Sequence, residues 1–230
     1  MPAIGITGGI STGKSTFCQC LREILPAAKF FDADQAAHQL VDRDPEVKKE
    51  LIAEFGSEVF SRKGDLNRAA LRAIIFSNAA KKSALEKILH PRIRRQWSAQ
   101  AKTHRKSSDF FFADIPLLYE TDGERLCDRV VVVACSRSIQ LERMLQRGMG
   151  FQPASAPPQD RLVREAKRTR CGEPKGHRLE ADATSAVQEM INSQMPLEEK
   201  ISRADHVVWN NGDRSVLAEQ ARLLVQLWRQ

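Results

Sequence analysis

Residues Gly8-Gly9-Ile10-Ser11-Thr12-Gly13-Lys14-Ser15 satisfy G-x-x-x-x-G-K-[ST], and nothing else in this 230-residue chain restricts its fold as tightly. The pattern works only between a strand and a helix. Its glycines let backbone N–H groups close around an anion, and the positive end of the helix dipole adds to them. Both flanks comply: Ala3-Ile4-Gly5-Ile6-Thr7 reads as a short buried strand, and Phe17, Cys20, Leu21, Ile24 and Leu25 share one helix face. In such a loop Lys14 reaches the outer phosphates of a nucleoside triphosphate, and the Ser15 hydroxyl ligates Mg2+. The expected donor cradle is therefore Gly9, Ile10, Ser11, Thr12, Gly13, Lys14, Ser15 and Thr16.

Strands and helices then alternate, which argues for a parallel sheet. Strands are expected at 29–34, 110–115, 130–134 and 206–209, giving five with the first. In an open α/β sheet the ligand crevice lies at the carboxyl ends of the strands. Asp32 and Asp34 fall at that edge, on one side of an extended segment. Asp34 opens the following helix, where its carboxylate can meet a substrate hydroxyl; capping that helix is the competing use for either acid. Asp114 ends the apolar run Phe110-Phe111-Phe112-Ala113 and stands where a carboxylate can hold Mg2+ directly or through water. Gln140, Arg143 and Arg147 share a helix face after the fourth strand.

From Asp44 to Arg105 the chain reads as helical, too long a crossover for a minimal unit and large enough for an inserted lobe. Asp44-Pro45 is an N-cap and first helical residue, Gly56 a helix stop, and Asn67 a second cap. Pro91 is expected to kink or restart its helix. Arg68, Arg92, Arg94 and Arg95 each read first as solvated helix positions. Residues 148–183 are rich in proline and glycine with little periodicity, which suggests a flap; Arg161, Arg164 and Arg168 there fit one face of a short helix.

A net charge of +7 favours anionic ligands, yet aromatics are only 6% and no basic run is interleaved with them. Small phosphorylated molecules fit better than nucleic acid. Five cysteines without C-x-x-C spacing read as reduced thiols. No membrane-length apolar stretch occurs, and the first strand leaves no room for a signal peptide, so a cytoplasmic chain is expected.

Taken together, several stretches resemble the dephospho-CoA kinase family. They are Gly5 to Ile10 running into the loop, Asp32-Ala33-Asp34, Gly64 to Arg68 and Leu85 to Pro91. Asp114-Ile115-Pro116-Leu117-Leu118-Tyr119-Glu120, Gln140 to Arg143 and Asn210-Asn211-Gly212 complete the set. The resemblance implies an α/β P-loop kinase with a five-stranded parallel sheet flanked by helices. Its parts would be a core (1–42, 106–147 and 200–230), a helical acceptor lobe (43–105) and a lid with an insertion (148–199). It also implies phosphorylation of the ribose 3′-hydroxyl of 3′-dephospho-CoA by ATP with Mg2+, without nucleic acid or membrane partners. Under it Asp34, Lys14 and Arg143 are catalytic, and Arg143, Arg147, Asn210 and Asn211 join the ATP site. Asp34, His38, Arg68, His90, Pro91, Leu117, Leu118 and Glu120 would serve the acceptor, and Ser15 and Asp114 the metal. The rival expectations are another small-molecule P-loop kinase and a nucleotide-dependent switch or nucleic-acid-associated ATPase. Three departures from the family pattern stand out: Ser11 for a usual glycine, His38 for a common arginine, and the long insert after Arg147.

Overall fold

The computed structural model describes residues 2–61, 64–104, 109–146, 187, 188 and 190–230. Arg147, Arg161, Arg164, Arg168 and the 148–183 insert lie outside the described residues. Five parallel strands form one sheet: β1 (Ala3–Gly8), β2 (Lys29–Asp32), β3 (Phe111–Asp114), β4 (Arg129–Ala134) and β5 (His206–Trp209), in the order β2-β3-β1-β4-β5. The expected sheet is thus present, with the strand that feeds the glycine loop at its centre. Central strands need apolar residues toward both faces, and all six positions of β1 are buried.

Alternation along each strand sorts the core onto two faces. Ile4, Ile6, Phe112, Val131 and Val133 pack against α1 (Lys14–Ile24) and the closing helix (Arg214–Trp228) through Phe17, Leu21, Leu217 and Val225. Ala3, Phe111, Val130 and Val132 face the opposite layer, with Trp97, Leu118 and Tyr119. Burial of such side chains contributes roughly 1.5–3 kcal/mol each before chain entropy is charged against it.

Between β2 and β3 lies a helical lobe with its own apolar cluster, built on Val47, Leu51, Phe55, Val59 and Leu71. It comprises α2 (Ala33–Arg43), α3 (Pro45–Phe55), α4 (Arg68–Ser77) and the long α5 (Ala79–His104). The caps are those expected. Asp44 accepts from the N–H groups of Glu46 and Val47, and Asn67 accepts from that of Ala70. Gly56, at φ 88°, stops α3.

Two expectations are corrected. β2 ends at Asp32 and the helix begins at Ala33, so Asp32 and Asp34 are not two positions of one strand. Nor does Pro91 divide α5, which is continuous. Proline removes one N–H, the helical partner of the Lys87 carbonyl, from the ladder without ending the helix. After β4 come α6 (Arg137–Gln146), the short α7 (Leu197–Ser202), β5 and α8 (Arg214–Trp228).

Candidate active site

The glycine loop is braced from within and from behind. Thr12 is buried, and its hydroxyl donates to the Gly9 carbonyl at 3.0 Å. Gln140 on α6 donates to the Ile10 carbonyl at 2.7 Å. The Thr12 carbonyl accepts from Asn210 Nδ2 at 2.8 Å and from the Arg143 guanidinium at 3.4 Å, which also reaches the Asn210 carbonyl at 3.1 Å. Gly13 adopts φ 99°, and a Cβ there would collide with Asn210 Nδ2. Glycine is thus required twice over. The braces leave the loop's N–H groups at the start of α1, where an anion is favoured.

Lys14 Nζ lies 3.2 Å from the Gly9 carbonyl. Burial pulls its pKa below the usual lysine value, against the opposing pull of Asp114 and Asp34. Ser15 is exposed. Asp114 ends β3 behind the lysine; burial raises its pKa, with Lys14 resisting and Asp32 reinforcing. Its Oδ2 accepts weakly from Cys18 Sγ at 3.5 Å, while Oδ1 is buried without a partner. An unpaired carboxylate oxygen of this kind suits a hard cation that keeps water and phosphate as its other ligands. No cluster of three or more His, Cys, Asp or Glu that could hold a metal occurs among the described residues.

Across the loop mouth opens a cavity of about 450 Å3. Ile10, Ser11, Lys14 and Asp34 form one wall, Ile115, Pro116 and Leu117 another, and α5 the third. From α5 come Glu86, Leu89, His90, Ile93, Arg94 and Trp97. These positions repeat at three and four residues, one helical stripe. Asp34 sits in the first turn of α2 with its side chain partly open to water. The crowding of the cleft nevertheless raises its pKa, the Asp32 carboxylate raises it further, and Lys14 and His38 pull the other way. Asp32 itself caps α2 by accepting from the Gln35 N–H at 2.9 Å. The two acids have separate uses: one holds the helix, the other faces the cavity. Burial keeps the His90 pKa below its ordinary value, with Glu86 and Glu120 opposing.

Some expected residues stand elsewhere. Leu118 is completely buried in the core, and Pro91 is on the outer side of α5. Arg68 is engaged by Asp42 in a surface pair at 2.9 Å. Glu120 turns from the cavity to Lys200, which is wholly buried on α7, at 2.8 Å, and also accepts from the Met195 N–H. His38 is exposed one turn beyond Asp34, outside the cavity lining. The Asn210 and Asn211 side chains are spent on backbone, the latter accepting from the Ser136 N–H at 2.7 Å. Sequence reasoning missed Lys200, which also donates to the Pro116 carbonyl at 3.0 Å. A lysine among the polar residues of Leu197-Glu198-Glu199-Lys200 carries no signal of burial. It missed Glu86 and Arg94 as well, though the stripe through His90 and Trp97 contains them.

A parallel sheet with a glycine loop after its central strand, and a carboxylate lining the same cavity as that loop, defines a P-loop kinase. Comparison with known proteins narrows the class. The model of the family described as CoaE: Dephospho-CoA kinase matches residues 2–172. A dephospho-CoA kinase of Bacillus cereus is 33% identical over 98% of this chain and 96% of its own length. One of Anaeromyxobacter dehalogenans is 36% identical over 99% and 92%. Among solved structures, TT1252 from Thermus thermophilus superposes with a TM-score of 0.67 at 26% identity, covering 98% of this chain and 96% of that one. A dephospho-CoA kinase from Campylobacter jejuni, at 23% identity and TM-score 0.64 over 97% and 95%, shares the fold. The chain belongs to the dephospho-CoA kinase family and is an ATP-dependent kinase.

Proposed function

We propose that this chain transfers the terminal phosphoryl group of ATP to the ribose 3′-hydroxyl of 3′-dephospho-CoA, giving CoA and ADP. The observation that carries the reading is that Lys14 and Asp34 line one and the same cavity at the glycine loop mouth. Phosphoryl transfer needs alignment and charge neutralisation more than covalent help. The loop N–H groups and Lys14 hold the triphosphate, and Asp34 orients the acceptor hydroxyl and takes its proton. The α5 stripe, with Ile93 and Trp97, and Leu117 hold the acceptor, keeping water from the phosphoryl group. Arg143 keeps the loop in place and has guanidinium donors left for phosphate; Arg147 and the 148–199 lid belong to the same proposal.

Ser15 and Asp114 would hold Mg2+. Bound there with ATP, it supplies charge neutralisation across the phosphates. The chain acts in the cytoplasm, on small molecules rather than nucleic acid, and no helix among the described residues is long and apolar enough to cross a membrane. The core, acceptor lobe and lid divide as 1–42 with 106–147 and 200–230, 43–105, and 148–199.

A coupled assay of ADP release tests the reading, with dephospho-CoA set against shikimate, gluconate and nucleosides. Acceptor-dependent turnover confined to dephospho-CoA is expected. Comparable turnover with another acceptor, or hydrolysis indifferent to any acceptor, overturns it.

A further inference from the structure

Thr12 shows how a loop hydroxyl is normally satisfied, by folding back onto the Gly9 carbonyl. Its neighbour Ser11 does not do this. The Ser11 hydroxyl is buried without a hydrogen-bond partner, although buried hydroxyls nearly always have one. Its backbone is also unusual. At φ 58° it occupies the left-handed region, where a side chain is disfavoured relative to glycine. Ser11 lines the cavity beside Lys14 and Asp34, at the point where the glycine loop meets the acceptor side. An unmet donor, held by a strained backbone at the meeting of two substrate sites, calls for an acceptor from the substrates.

We propose that the Ser11 hydroxyl is a catalytic hydrogen-bond donor to a non-bridging oxygen of the phosphoryl group in transit. This rests on the kinase reading above and adds a side-chain contact to the loop's backbone and lysine contacts. Phosphoryl oxygens only accept, and Ser11 has one donor to give. Lys14 supplies charge but, as a flexible ammonium, little direction. A hydroxyl on a fixed loop adds direction, and in a water-poor cleft a preorganised donor acts more strongly than in bulk water. Ser11 keeps its proton throughout. The bond from phosphorus to the ADP oxygen breaks, the bond to the acceptor oxygen forms, and the acceptor's proton passes to Asp34.

Two variants separate the hydroxyl from the backbone. Ser11→Ala removes the donor and keeps the left-handed strain; Ser11→Gly removes both. Both are expected to lose about tenfold or more in kcat, with the KM for ATP changed less than about threefold. Ser11→Gly should melt higher than Ser11→Ala. Affinity for ADP with aluminium fluoride, a mimic of the group in transit, should fall by the factor lost in kcat, while affinity for ADP alone holds. A Ser11→Ala enzyme within about twofold of wild-type kcat overturns the proposal. So does a Ser11→Gly enzyme restored to the wild-type rate, since backbone strain would then be the whole effect. Should the wild type show no turnover with dephospho-CoA, the functional reading falls separately. The mimic still decides the hydroxyl: equal affinity in wild type and Ser11→Ala overturns its role.

Discussion

The two sides of the cleft are built on opposite principles. On the donor side the carbonyls of the loop are engaged: Gln140 bonds that of Ile10, Asn210 and Arg143 that of Thr12, and the Thr12 hydroxyl that of Gly9. The side proposed for the acceptor is a cavity walled by Leu89, Ile93, Trp97, Ile115 and Leu117, with a few polar groups among them. A polyphosphate is recognised by fixed N–H groups, so its cradle must be rigid before it binds. An acceptor with a large organic body is held by shape and apolar area, with a few polar groups setting its orientation. At the seam, where Ser11, Lys14 and Asp34 meet, the buried Ser11 hydroxyl has no hydrogen-bond partner.

That contrast fails first at Asp34. If the seam belongs to catalysis and the cradle to binding, Asp34→Asn cuts kcat by about 10²–10⁴-fold while the KM for ATP stays near wild type. Steady-state kinetics with both substrates varied reads the split. Because crowding and the Asp32 carboxylate raise the Asp34 pKa above its ordinary 3.8, the acid limb of wild-type kcat/KM should lie above that value, with the rate rising as the carboxylate ionises. A large rise in the ATP KM, or a kcat near wild type, would erase the division between the two sides.

How readable each side was follows from the same contrast. The donor side is mostly one contiguous motif whose residue types are dictated by anion chemistry, so its position at the head of α1 was legible. The five strands were legible as well, because apolar runs such as Val130 to Ala134 announce a doubly covered strand. Asn210 was legible by position but not by role, since its pairing with the Thr12 carbonyl spans the whole chain. The acceptor wall was harder. Leu118 and Leu117 are identical in type and adjacent, and only the turn after β3 decides that one fills the core and the other the cavity. Lys200 was invisible because its burial depends on Glu120 and the Pro116 carbonyl, remote in sequence.

Lys200 sharpens the comparison from the cavity side. Glu120 accepts from both Lys200 and the Met195 N–H, so the segment returning to β5 is clasped to the loop that carries Pro116 and Leu117. Lys200→Met leaves a carboxylate that is only 23% exposed without its cation. Breaking a buried pair in this way costs about 3–5 kcal/mol; denaturant unfolding measures it, and partial hydration of Glu120 favours the lower end. In the folded fraction the KM for the acceptor should rise while that for ATP holds. A loss confined to ATP binding would place the clasp on the donor side.

A smaller effect, of opposite sign, is expected at Asp114. Its pKa is raised in the folded protein, chiefly by burial. The native state therefore holds this proton more tightly than the unfolded chain does. The stability it contributes is complete below the ordinary 3.8 and is lost as pH rises through the higher native value. At neutral pH the ionised group is a burden on the unliganded fold. Asp114→Asn should raise the melting temperature at about pH 7, the advantage shrinking as pH falls toward about 4, while ATP turnover drops. Thermal melts across that range check it. A variant less stable than wild type at neutral pH would mean that attraction to Lys14 outweighs burial.

The smallest effect is expected at Arg68, which the family resemblance assigned to the acceptor site and the geometry draws away from it. Its guanidinium takes both oxygens of Asp42, at 2.9 and 3.0 Å, with the two side chains 44% and 50% exposed. A pair that open contributes at most about 1 kcal/mol. Arg68 is absent from the cavity lining, whose charged members on α5 are Glu86 and Arg94. Arg68→Ala should therefore leave kcat and both KM values within about twofold of wild type and lower stability only slightly. A tenfold rise in the KM for dephospho-CoA, about 1.4 kcal/mol of binding, with ATP unaffected, would extend the acceptor site past the apolar cavity to α4. The acceptor side would then have a charged rim of its own, and the contrast with the donor cradle would be one of position rather than of principle.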